Sequence, residues 1–149
     1  MKRSEKAVEL FESGLNCSQA ILVAFAEGTA LDAGQAAKLA GGFGGGMGRM
    51  AHTCGAVTGA LLVLGLKCGT ASPDDKVGKE NTYRLVREFA DKFQVRNGSI
   101  VCRDLLGCDI STAAGSNMAK ETGLFRKACP KLVRDAAEVL EGMLEEAAT

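Results

Sequence analysis

Residues 41–69 read GGFGGGMGRMAHTCGAVTGALLVLGLKCG, and the way this stretch is parsed decides the fold. Six of the eight residues from Gly41 to Gly48 are glycine, so the backbone there is free to turn tightly. Thr53 then reads as the cap of a helix from Cys54 to about Lys67, with hardly a charge along it. A helix that is apolar nearly all round belongs at the centre of a helical bundle. Gly55 and Gly59, followed by Val63, lie on one of its faces, where a second backbone can approach closely. Cys54 opens the helix, where unpaired N–H groups and the helix dipole favour a thiolate.

The rest of the chain suits a helical frame around that post. Its 149 residues fit one domain, 1–149, with a substantial core. Ala, Leu, Glu, Lys and Gly dominate, and prolines number only two, which favours helices. Eighteen basic and eighteen acidic residues cancel, removing any electrostatic case for nucleic acid or an anionic membrane. The opening MKRSEKAVELF turns amphipathic at once, unlike a secretory signal peptide. The longest apolar run, near Ala60 to Leu66, is far short of the ~20 residues of a spanning helix. The expectation is a cytoplasmic protein with no membrane insertion. In a reducing compartment, six cysteines point to metal or redox chemistry rather than a disulfide framework.

Caps and breakers place the other helices. Ser4 reads as the cap of a first helix through about Ser13. Asn16 caps a second, which starts at Cys17 and stops at Gly28, and Asp32 opens a third through Leu39. Ser72-Pro73-Asp74-Asp75 combines a cap, a first-position proline and acids, and starts a fifth helix to roughly Phe93. Tyr83, Val86, Phe89, Ala90 and Phe93 are its expected inward residues. Ser99 caps a short sixth helix ending at Gly107, and residues 108–116 read as loop. Met118 to Phe125 gives a helical turn or two. Pro130 starts the last helix, with Leu132, Val133, Ala136, Val139, Leu140 and Met143 as its stripe. The expected architecture is an all-α single domain of six to eight helices.

On this frame Cys17, Cys54, Cys102 and Cys129 all fall at or near helix N-termini. A single buried cysteine is often only a small hydrophobe, but packing alone rarely sets four at helix starts. Cys68 lies 14 residues beyond Cys54, about 20 Å along a continuous helix, too far to share a small site. Cys108 is six residues from Cys102, which on a continuous helix is the opposite face, although a break at Gly107 can bring it back; it is expected outside the site, as Cys68 is more firmly. No two cysteines are separated by two residues, so zinc knuckles, thioredoxin-type pairs and ferredoxin runs are absent. Any four-thiolate site is therefore assembled by the tertiary fold. His52, the only histidine, can serve as proton shuttle or ligand, although a lone histidine beside a loop is more often a surface residue. Arg49 reads as a solvated loop charge that can also steady a thiolate.

The motifs resemble a known family. LAGGFGGGMGR at Leu39–Arg49, C-G-A-x-x-G at Cys54–Gly59, N-C-S-Q-A at Asn16–Ala20, C-R-D-L-L-G at Cys102–Gly107 and Cys129-Pro130 are similar to the pattern of the C_GCAxxG_C_C family of redox-active proteins. The resemblance spans nearly the whole chain and assigns the four family cysteines to Cys17, Cys54, Cys102 and Cys129, leaving out Cys68 and Cys108. A related domain occurs in split-Soret-type cytochromes, which implies an iron–sulfur cluster, 2Fe–2S favoured, held by these four for electron transfer. The haem segments of those proteins are absent here. Two other readings use the same residues: a thiol–disulfide redox enzyme with Cys54 attacking, and a structural four-thiolate zinc site. The partner is expected to be an unidentified redox protein, and a homodimer is allowed.

Overall fold

The structure, a computed structural model, describes residues 1–148. Among them the elements are α1 (Arg3–Glu12), α2 (Cys17–Ala26), α3 (Ala33–Ala40), a 3-10 turn (Gly41–Phe43), α4 (Gly44–Met47), α5 (Gly55–Cys68), α6 (Lys76–Asn97), α7 (Cys102–Leu106), α8 (Ala113–Thr122) and α9 (Leu124–Ala148). The all-α expectation holds. Eight of these are right-handed helices, whereas α4 closes a turn whose interior backbone winds left-handed. The one β contact among the described residues is an isolated antiparallel bridge between Thr53 and Val101. Among the described residues, no helix is long and apolar enough to cross a membrane.

Two caps form as the sequence predicts. The Asn16 side chain accepts from the Gln19 N–H while Gln19 reaches back, and Asp32 does the same with Gln35. These capping boxes satisfy N–H groups that a helix start leaves open. Elsewhere the starts move. Helix α1 begins at Arg3, and Ser4 lies inside it, buried, with its N–H donating to Glu141 on α9. Ser72–Asp75 forms a turn, and Asp75 rather than Ser72 caps α6, accepting from the Gly78 N–H. Helix α8 begins at Ala113, earlier than Met118, because Thr112 caps it. Pro130 does not open the last helix but lies inside α9, where its missing N–H leaves the Arg126 carbonyl without its usual donor.

Helix α2 lies against α1, α3 and α5, and α5 and α6 both lie against α9. Their shared core includes Ile21, Leu22, Phe25, Val57, Leu64, Val133 and Leu140. Phe89 and Phe93 complete it, with ring centroids 6.2 Å apart. The stripe expected on the last helix is buried throughout. On α6 the inward set is Leu85, Phe89 and Phe93, while Tyr83 is exposed. Helix α5 is central only in its first half: Gly55 to Ala60 are buried, but Gly65, Leu66 and Lys67 are exposed. A second, smaller buried cluster gathers Ala51, Cys102, Leu106, Cys108, Ile110 and Ala119.

Candidate thiol site

Cys54 is the cap of α5 rather than its first helical residue, because Thr53 is extended into the bridge with Val101. Two hydrogen bonds flank that bridge. The Cys54 N–H donates to the Ile100 carbonyl at 2.8 Å, and the Cys102 N–H donates to the His52 carbonyl at 2.6 Å. Residues 52–54 and 100–102 are thus tied side by side, and the tie brings Cys54 and Cys102 together across 48 residues of sequence.

Cys17 is the first residue of α2, set by the Asn16 cap. It reaches the α5 N-terminus because Gly55 has no side chain: a Cβ there would overlap the Cys17 sulfur. Backbone N–H groups of Gly45, Ser18, Cys17 and Gly55 face that sulfur. The Gly45 donor comes from the glycine-rich turn, where Gly45, Gly46, Met47, Gly48 and Arg49 all have positive φ, between 61 and 70°. A Cβ on Gly46 would stand 2.6 Å from the His52 nitrogen and 2.8 Å from Cys102 Cβ. Glycine is therefore required where this turn presses on the second cysteine.

Cys129 arrives differently. It lies inside α9, in the second turn, and packs against the cluster that contains Cys102. Only three of the four family cysteines sit at helix starts, and the helix-start pattern is corrected for the fourth.

All four nonetheless line one cavity of about 480 Å³, together with Arg49, Lys120 and the glycine turn. Cys17 and Cys54 come from the main core, Cys102 and Cys129 from the smaller cluster, so the cavity lies where the two meet. Cys68 and Cys108 do not line it. Cys68 ends α5, and the buried Cys108 thiol donates to the Gly115 carbonyl at 3.1 Å. His52 is exposed and absent from the lining, and the Asp109 carboxyl is held low chiefly by hydrogen bonds from Ser111. Arg49, read from sequence as a solvated loop charge, does line the cavity. Lys120 had no signal in the sequence, since nothing in its helix marks it.

The electrostatics overturn the expectation of an activated thiolate. Burial raises the Cys54 thiol well above its ordinary value, and the nearby Cys17 raises it further. The Ala56 and Val57 N–H groups oppose this without closing a capping hydrogen bond. Burial likewise raises Cys17, against its four N–H donors. Cys102 is pushed up to about 11 and Cys129 to about 12, in both cases first by burial and then by Cys17. Desolvation disfavours charge more than a helix terminus favours it. A thiol that binds a metal ion is deprotonated outright, so a cation in the cavity reverses this balance.

Four thiols are the donor set of iron–sulfur centres. Among the described residues, no three His, Cys, Asp or Glu side chains stand close enough to hold a single metal ion.

The fold is thus a helical bundle that gathers four distant cysteines around one cavity. Residues 15–143 match the family described as "Putative redox-active protein (C_GCAxxG_C_C)", and the chain belongs to that family. No curated protein and no solved structure matches the chain.

Proposed function

We propose that the chain is an electron-transfer protein in which Cys17, Cys54, Cys102 and Cys129 ligate an iron–sulfur cluster, with 2Fe–2S favoured. The observation that supports this reading is the sorting of the six cysteines: the four family positions share one cavity, and Cys68 and Cys108 lie outside it. When bound, such a cluster supplies a one-electron redox couple at a potential set by its surroundings. The chain's own residues provide those surroundings. Gly55 leaves room for the Cys17 sulfur, and the N–H groups of Gly45, Ser18 and Gly55 offset negative charge on it. The Thr53–Val101 bridge fixes the spacing of Cys54 and Cys102.

The thiol-enzyme reading is weaker, because burial raises Cys54 away from the thiolate form a nucleophile needs. The zinc reading uses the same four cysteines, and zinc in place of iron in the metal content separates it from the cluster.

Single Cys→Ser variants, purified without oxygen and reconstituted with iron and sulfide, test the assignment. Replacing Cys17, Cys54, Cys102 or Cys129 is expected to abolish or bleach the visible chromophore. Replacing Cys68 or Cys108 is expected to leave it. A chromophore that survives all four of the first set overturns the ligand assignment.

A further inference from the structure

The cavity is larger than the proposed cluster needs. At about 480 Å³ it falls within the roughly 300–1,000 Å³ of small-molecule pockets. Four inorganic atoms, each taken at roughly the ~30 Å³ share of a liquid water, fill about a quarter of it. Much of the remaining wall is apolar, with Phe11, Ile110, Phe125 and Leu132 contributing. Two cations, Arg49 and Lys120, also line it, and no carboxylate among the described residues does. Neither cation is in an ion pair among the described residues.

The Arg49 backbone is held at φ 64°, a conformation that L-residues rarely adopt. Its side chain lies across the glycine turn, close enough that a Cβ on Gly45 would stand 2.8 Å from Arg49 Cγ. Strain of this kind concentrates at functional positions, where surrounding structure over-determines it.

We propose that the cavity takes a small organic anion beside the thiols: an apolar body resting on the aromatic and aliphatic wall, with a carboxylate met by Arg49 and Lys120. This deepens the reading of the thiol site by naming the class of molecule that shares it. The cavity and its two cations stand whether or not iron does.

The probes are 4-phenylbutyrate and its uncharged amide, titrated into the full chain as purified and followed by calorimetry or NMR. Iron is measured in the same samples. The carboxylate is expected to bind saturably and about tenfold more tightly than the amide, as two solvent-accessible ion pairs allow. In the Arg49→Gln, Lys120→Gln double variant the preference is expected to vanish while amide binding persists. Each single variant is expected to lose part of it, and added salt to weaken the carboxylate alone. Absence of saturable binding, equal affinities, or a preference that survives the double variant overturns the proposal. Protein that stays iron-free after reconstitution without oxygen and keeps the carboxylate preference sinks the cluster reading alone. Iron-loaded protein without that preference sinks this proposal alone.

Discussion

At the scale of single residues, the site depends on what one glycine leaves out, on one strained cation and on what burial does to four thiols. Gly55 acts as a space: its missing side chain is where the Cys17 sulfur lies. Gly55→Ala is expected to displace that sulfur and destabilise the fold by about 1–3 kcal/mol, the usual cost of overpacking, read from a denaturant midpoint. Arg49 carries the opposite kind of information. Its φ of 64° is strained for any residue with a side chain. Arg49→Gly is expected to raise stability by about 1 kcal/mol while removing a cation from the cavity. Unchanged or lowered stability would mean that the turn is not strained there. The raised thiols give a pH signature in the iron-free protein. A group whose folded value lies above its unfolded one stabilises fully below the unfolded value and loses that contribution as pH rises through the folded one. For Cys102 and Cys129 that window runs from 9.0 to about 11 and about 12. Iron-free protein is therefore expected to lose stability across this alkaline range, and the C102S, C129S double variant to lose less.

At the scale of elements, the close approach of α2 and α5 carries the arrangement. A Cβ on Gly59 would stand 2.8 Å from the Ser18 carbonyl oxygen and 3.1 Å from Ser18 Cα. These are backbone atoms that cannot swing aside, so Gly59→Ala is expected to cost about 1–3 kcal/mol and to push Cys17 away from Cys54. A variant as stable as the parent would show that the two helices are free to slide. The glycine spacing announced this contact in the sequence, because residues four apart share a helix face. The caps at Asn16 and Asp32 are legible too, because both residue types favour that position; their reciprocal partners Gln19 and Gln35 are added by the structure. Cys54, which reads locally as the first helical residue, is the cap of α5. Thr53 looks like a cap locally, but the bridge to Val101 pulls it into extended backbone, and that partner lies 48 residues away. Pro130 misled for a related reason: a proline suits a helix start, but α9 already runs through it from Leu124. Local signals located the helices well, and erred where a distant segment decided the ends.

At the scale of the whole molecule, the six cysteines sort by tertiary structure rather than by spacing. The resemblance named the four positions, but no pairwise spacing could show that they meet. The main core supplies two and the smaller cluster two, and the left-handed turn and the Thr53–Val101 bridge hold the halves in contact. Such a site should couple to the stability of the whole chain, because a group bound across two clusters stabilises only the state in which they meet. The most direct measurement is the iron and acid-labile sulfide content of protein purified and reconstituted without oxygen, read together with its visible absorption. About two iron and two sulfide per chain are expected, in a coloured protein whose thermal midpoint falls when the metal is chelated. A colourless protein with no iron after reconstitution would contradict it.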